Sequence, residues 1–537
     1  MKQWKTCILA LCLALCLVLS GCSGLDFAGY FEKVGDLFDD GNLTPFSQMS
    51  YSRPDMEQFE RSAGQYCQEA AVQTDLEAML ALIYGFNALH DDFYTNYSYA
   101  MIRYSKDQTN AHWTGEYQYC AEQCALVDSF RDQFYRVLAK SPLRSVLESP
   151  AYFGPDFFKS YEGPSLYDDY FMELLQQETM LENAYYDLIA QAGENFGYNQ
   201  SFYDTYGQQV QQLFVQLVQV RQEQARYAGF DSYPEFAYTF YYGRDYSVED
   251  AIGYLADIRA ELAPLYQKLL ADGVDVTLYA CSRQEMFDYV RKTAQSMGGQ
   301  IVTAFSDMDR AGLYDIGYGE NKLDMSFEVY LPNYRCPYVF VNPTGTTYDQ
   351  LTFVHEFGHF CKDYCSMGSG VTIDVAEIFS QGMEYLSLSY GPADPNMTRL
   401  KLVDSLCVYV EQAAYSSFEL QVYGLVGEDL TAENVQALYD RICTGYGMTG
   451  SWRYVLIPHF FVEPMYVISY VVSNDAALQL YQMEKAKSGS GLACLQESFT
   501  ARSPYFLAFL EEAGLESPFA PGRIQRVKET LQSILRG

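Results

Sequence analysis

Two histidines four residues apart, with a glutamate directly after the first, stand in the stretch Val354-His355-Glu356-Phe357-Gly358-His359-Phe360. On a helix, positions i and i+4 share a face, so both imidazoles can reach one Zn²⁺ while Glu356 lies beside the ion without ligating it. The chain holds only five histidines, so chance seldom produces this pattern; the plainer alternative is a helix with two satisfied core histidines. A catalytic zinc needs a third protein ligand and an open position. Glu377, in Asp374-Val375-Ala376-Glu377, is the best candidate: it lies 18 positions past His359 on a second expected helix, and Met367-Gly368-Ser369-Gly370 supplies the turn between them. Asp374, Glu384 and Asp363 are its rivals, with Glu384 better suited to orienting a histidine. Farther on, His459 stands in Ile457-Pro458-His459-Phe460-Phe461, followed by Tyr466 and Tyr470. A histidine among aromatics is usually core, but an imidazole N–H and tyrosine hydroxyls are also the donors that stabilise an oxyanion. Tyr466 and Tyr470 are four apart and would project together from a helix.

The elements that must position these groups are mostly helical. From about 55 to 300 apolar residues recur every three or four, as in 76–83 and 210–218, with tyrosines at many of the remaining positions. Breaks at Ser141-Pro142, Gly154-Pro155 and Gly163-Pro164 end a first helical lobe. The expected division is a 1–22 leader, a 23–50 tether, a helical lobe at 51–165 and a catalytic domain at 166–537. Phe327–Leu331 and Pro337–Val341 have strand composition, bounded by Pro332-Asn333 and Asn342-Pro343. They precede the histidine helix, where an edge strand could take a peptide as a further strand. Helix resumes after Ser366, with Asp374 placed to cap one running to about Tyr390.

Bulk properties narrow the function. A formal charge of −34 excludes a nucleic-acid partner, because an anionic surface repels phosphates. At the N-terminus Lys2 and Lys5 precede an apolar run from Cys7 to Val18, too short to span a bilayer comfortably and typical of a targeting segment. Leu19-Ser20-Gly21-Cys22 resembles the bacterial lipobox, so the expectation is an extracytoplasmic protein held to the membrane through a lipidated Cys22; a plain secretory signal or an uncleaved anchor is the alternative. Four of the 14 cysteines fall in this leader. The others are irregularly spaced and are expected as free thiols, Cys120/Cys124 and Cys361/Cys365 lying at helical spacing.

Taken in order, His355-Glu356-Phe357-Gly358-His359, Val375-Ala376-Glu377, and Ile457-Pro458-His459-Phe460-Phe461 with Pro464-Met465-Tyr466-Val467 and Tyr470 resemble the M3 family of zinc oligopeptidases, in its oligoendopeptidase F branch. Tyr242-Gly243-Arg244-Asp245-Tyr246 and Ala263-Pro264-Leu265-Tyr266 extend the resemblance to roughly 200–490. The resemblance implies a mainly α zincin-like fold, two helical lobes around a deep channel, with one small β-sheet next to the zinc helix. It implies one Zn²⁺ per chain on His355, His359 and Glu377, Glu356 as general base, and His459, Tyr466 and Tyr470 as transition-state donors. Short peptides are the implied substrates, cut internally, with the strand at Tyr338–Val341 aligning the peptide. Phe379, where relatives carry a proline or small residue, and Met465 before Tyr466 depart from the family pattern and leave subsite shape open. A carboxypeptidase or dipeptidase would need a cation for the substrate's carboxylate, Arg244 and Arg453 being candidates. A peptide-binding lipoprotein without turnover would have no use for Glu356.

Overall fold

The computed structural model describes residues 43–163, 165–192, 200–273, 276–448 and 453–535. The leader and Cys22 lie outside the described residues. Three long helices open the body: α1 (Met56–Val72), α2 (Leu76–Lys106) and α3 (Ala111–Ala139). Each starts where an Asp or Asn side chain accepts a first-turn N–H: Asp55 from Gln58, Asp75 from Ala78, Asn110 from His112 and Trp113. Between 140 and 168, where the Pro and Gly breaks fall, the described residues hold only short helical turns before α4 (Asp169–Ala192). Then come α5 (Gln200–Tyr227) and a run of shorter helices to Ala311.

Two apolar clusters organise the chain. The smaller one runs from Met56 to Phe158 and is built on stacked rings such as Phe86 on Phe134, 4.1 Å between centroids. The larger takes in the rest, and α2 serves both: Met79 to Tyr97 lie in the first cluster, Tyr99, Met101 and Ile102 in the second. Phe46 and Met49, at the end of the stretch expected as a tether, are buried in the second cluster, with Phe46 against Tyr338 at 4.4 Å. A cavity of about 2330 Å³ lies between the two units, walled by Asp128 and Tyr152 on one side and by Glu182, Met367, Glu463 and Tyr466 on the other.

The sheet has three strands, β1 (Tyr314–Asp315), β2 (Ser326–Leu331) and β3 (Cys336–Val341), in the order β1-β3-β2. This corrects the role expected for Tyr338–Val341, which forms the central, fully buried strand, paired parallel to β1 and antiparallel to β2. The two-residue β1 carries no periodic signal that a sequence reading could use. The longer of the two edge strands is β2. Val339 donates its N–H to the Leu313 carbonyl at 3.0 Å, so its peptide groups face β1. Alternation turns those of Tyr338 and Phe340 towards Val329 and Phe327, and leaves those of Glu328 and Tyr330 pointing away from the sheet.

After β3 the chain forms α6 (Tyr348–Ser366), turns through Met367 (φ 53°) and Gly368 (φ 73°), and returns as α7 (Ile373–Tyr390). The two helices touch closely at Gly358, where a Cβ would stand 2.6 Å from the Ser380 Cα and 2.7 Å from the Phe379 carbonyl oxygen. Farther on lie α8 (Ala413–Val422), the five-residue α9 (Pro458–Val462) and α10 (Ile468–Ala486), which packs along α7.

Candidate metal centre and its surroundings

Helix α6 buries both histidines on one face, their ring centroids 5.1 Å apart, and α7 brings Glu377 across from them. Glu377 Oε2 lies 3.4 Å from His355 Nε2 and 3.9 Å from His359 Nε2. Ligand atoms of these three residues lie within 4.8 Å of one another, the one such group among the described residues. The rivals stand elsewhere. Asp363 pairs with Lys362 at 2.9 Å, and Asp374 pairs with Arg244 at 3.2 Å. Nor does Asp374 cap α7 as expected: Thr372 is the N-cap and Asp374 is buried inside the first turn. Glu384 instead meets His355 at Nδ1, 2.8 Å away, and is itself met by Lys401 at 2.8 Å.

The donor set fits a divalent cation. His355 Nε2 is buried with no hydrogen-bond partner, while Nδ1 is held by Glu384, the arrangement that directs an Nε2 lone pair at an ion. The electrostatics also favour positive charge. Burial opposes protonation of His355, yet Glu377 and Glu384 outweigh it and raise its pKa well above the usual imidazole value. Burial likewise works against the Glu377 carboxylate, but the two histidines and Tyr466 hold its pKa down at about 2. His359 is pushed down to about 4, chiefly by burial, and so presents a neutral ring. A pair of neutral or ligating imidazoles and an ionised carboxylate is a zinc-type set.

Glu356, next to His355, is 1% exposed, and its Oε2 has no hydrogen-bond partner. Burial lifts its pKa to about 8. Glu328 of β2 faces the same helix: burial, then the charges of Asp363 and Glu356, push its pKa well up.

The segment from His459 to Tyr470 closes over the centre. Helix α9 is too short to persist alone, and its last carbonyls are capped from outside. Arg221 of α5, fully buried, donates to the Phe460 carbonyl at 2.8 Å and to that of Phe461, and pairs with Glu178 at 2.6 Å. Phe461 stacks on Tyr185 with centroids 3.9 Å apart. His459 is held neutral, its pKa pushed to about 4 by burial, with Nε2 at 3.4 Å from the Tyr470 hydroxyl. Tyr466 precedes α10 rather than sharing it with Tyr470, and the left-handed Met465 (φ 69°) turns it inward. The two tyrosine rings still meet, 5.2 Å apart. The hydroxyl of Tyr466 donates to Glu377 Oε1 at 2.9 Å, a contact spacing could not reveal.

Several expectations change. Phe379 packs against Phe499 and Phe509 in the core, so it shapes no subsite. Arg244 is buried among Asp374, the Met465 carbonyl and Ser469, unavailable to a substrate carboxylate. The side chain of Arg453 falls outside the described residues. Cys361 is buried in the core and Cys365 lies at the cavity; ten cysteines among the described residues are free thiols. Lys401, Arg221 and Glu419, which brace this site, were missed. The only hint was a charge interrupting an apolar helical run, as at Leu400-Lys401-Leu402.

Residues 46–163 match the family model of the peptidase M3 N-terminal domain. No curated protein matches by sequence. Among solved structures, one reported as an oligoendopeptidase F superposes with a TM-score of 0.83 at 22% identity over 92% of this chain and 99% of its own. PZ peptidase A with an inhibitor gives 0.83 at 21% identity, over 91% and 99%. A Bacillus anthracis protein reported as an oligoendopeptidase F gives 0.80 at 20% identity, over 92% and 99%. The mainly helical fold with its single small sheet is thus that of the oligoendopeptidase F structures, and the resemblance to the M3 peptidases drawn from the motifs holds.

Proposed function

We propose that this chain is a zinc-dependent oligopeptidase of the oligoendopeptidase F type, cleaving short peptides internally. The observation that carries the reading is the convergence of the ligand atoms of His355, His359 and Glu377, with Glu356 alongside and Tyr466 in the wall of a cavity large enough for a peptide. The M3 N-terminal match and the shared fold support it. A zinc ion on the three ligands would supply Lewis acidity, acidifying a water and polarising the scissile carbonyl.

The protein's residues do the rest. Glu356 removes a proton from the attacking water and returns it to the leaving amine. Neutral His459 and the hydroxyl of Tyr470 are the donors for the oxygen that becomes negative in the tetrahedral intermediate, while Tyr466, its proton committed to Glu377, orients that carboxylate. The outward peptide groups of Glu328 and Tyr330 on β2 are suited to pairing with a peptide main chain, recognition that does not depend on side-chain identity. Residues 51–165 form the lobe that walls the cavity, and 166–537 the domain that carries the centre. Anchoring of the protein outside a bacterial cell through a lipidated Cys22 completes the proposal. Among the described residues no helix is long and apolar enough to cross a membrane. Loss of membrane-fraction localisation in Cys22→Ser tests the anchor.

The activity is tested with quenched fluorescent peptides blocked at both ends and assayed with zinc. Internal cleavage is expected, and Glu356→Gln should abolish it. Doubly blocked peptides left intact while unblocked ones lose one or two residues from an end would replace this reading with an exopeptidase, and tight binding without cleavage of either would make the protein a peptide-binding lipoprotein.

A further inference from the structure

Met465 is one of four non-glycine residues with positive φ among the described residues, and it immediately precedes Tyr466. Such a conformation is strained for a side-chain-bearing residue and persists only where the surroundings enforce it. Here both polar groups of the Met465 backbone are gripped by buried side chains from distant parts of the chain. Its N–H donates to Glu419 Oε1 at 2.7 Å, from α8. Its carbonyl accepts from Arg244 at 2.9 Å, and the same guanidinium nitrogen reaches Ser469 Oγ at 2.9 Å.

Arg244 also joins this loop to the ligand helix. Its Nε meets Asp374 Oδ2 at 3.2 Å, three residues before Glu377 on α7. The guanidinium carbon lies 4.3 Å and 4.4 Å from the ring centroids of Tyr238 and Tyr242, and Tyr242 donates to the Pro464 carbonyl at 2.8 Å. The backbone on both sides of Met465 is therefore fixed relative to α7. The consequence lies one residue on, where the Tyr466 hydroxyl bonds Oε1 of Glu377 and leaves Oε2 towards the histidines.

We propose that Glu419 and Arg244 clamp Met465 in its left-handed conformation in order to aim Tyr466 at Glu377, making both of them positioning residues for the metal's carboxylate ligand. The proposal rests on the metal reading above. If Met465 relaxes to negative φ, Tyr466 swings away, Glu377 loses the bond that fixes its orientation, and the ion is held less tightly. A brace that serves only stability would lower the melting temperature without touching this linkage.

The test measures zinc affinity of the purified full chain by competition with a chelator. Tyr466→Phe is expected to weaken binding about tenfold, the size usual for a hydrogen bond to a metal ligand. Glu419→Leu should weaken it by the same factor, and the double variant no further, because both act through one hydrogen bond. Glu419→Gln, which keeps an acceptor for the Met465 N–H, should bind as the wild type does. Adding Met465→Gly to Glu419→Leu should restore affinity, since glycine adopts positive φ without strain. Should Glu419→Leu fail to fold, Arg244→Lys carries the same comparison, as a lysine cannot span Met465, Ser469 and Asp374 together. Multiplicative losses in the double variant, or unchanged affinity in a folded Glu419→Leu protein, overturn the clamp alone. A wild-type chain that binds no zinc overturns the metal reading with it.

Discussion

Glu384 stands 2.8 Å from His355 Nδ1, and this contact sets the direction of the ring's other nitrogen towards Glu377. Lys401 lies 2.8 Å from the second oxygen of Glu384 and 3.2 Å from Asp404, so one buried ammonium serves two buried carboxylates. Burial works against the Glu384 carboxylate, but Lys401 first and His355 next hold its pKa below the usual value. Glu384→Ala should therefore weaken zinc binding about 10–100-fold, read by chelator competition. Lys401→Met leaves both carboxylates uncompensated and should cost about 3–5 kcal/mol of stability, visible in the denaturation midpoint.

Removing the proposed base while keeping its shape is the sharpest test of the chemistry. Glu356→Gln should lower kcat by at least about 10²-fold, the lower end for a positioned acid–base group. Zinc content should not change, because Glu356 is not among the converging ligand atoms. Loss of zinc from this variant would contradict the assigned roles.

Tyr470→Phe separates binding from catalysis. Its hydroxyl lies 3.4 Å from His459 Nε2, and the expected result is a kcat lowered about 10²-fold with KM nearly unchanged, as for an oxyanion donor. A raised KM at constant kcat would make the residue a contact to ground-state substrate.

Gly358→Ala probes the contact between the two ligand helices. The added Cβ would meet backbone atoms of Phe379 and Ser380 at 2.7 and 2.6 Å, which cannot yield as a side chain tip could. Stability should fall by about 1–3 kcal/mol, and zinc affinity should fall too, since α6 and α7 are forced apart. A melting curve and a zinc titration on the same preparation check both.

The pH dependence of stability follows from Glu419, whose pKa burial raises to about 8. The folded state therefore keeps a proton that the unfolded chain releases above the ordinary glutamate value. Stability linked to this group is present at low pH and is lost as pH rises towards 8, by about 1.4 kcal/mol per pH unit. Below neutrality His359 and His459 act in the opposite sense, being held neutral to about pH 4 while the unfolded chain protonates near 6.5. Between pH 6.5 and 8 the buried acids dominate, Glu356 among them, and Glu419→Gln should make the fall in melting temperature seen in the wild type shallower. An identical fall in both proteins would show that Glu419 is ionised throughout.

The histidine pair, the glutamate beside it, the two strands and the run of helices were legible in the residues, because helical spacing and strand alternation are local properties. Glu377 could be favoured but not separated from Asp374 or Glu384 by spacing, since all three stand on one helix and only its rotation against α6 decides which faces the imidazoles. The same limit explains Tyr338–Val341, whose composition marks a buried strand but says nothing of which neighbours take its two edges. Arg244, an apparent substrate cation in the sequence, became a strut once folding placed Asp374 and the Met465 carbonyl around it. Local chemistry was written in the chain; the hydrogen bonds of the Met465 backbone with Glu419 and Arg244, 46 and 221 residues away, exist only where long-range packing excludes water and makes each buried polar group find its partner.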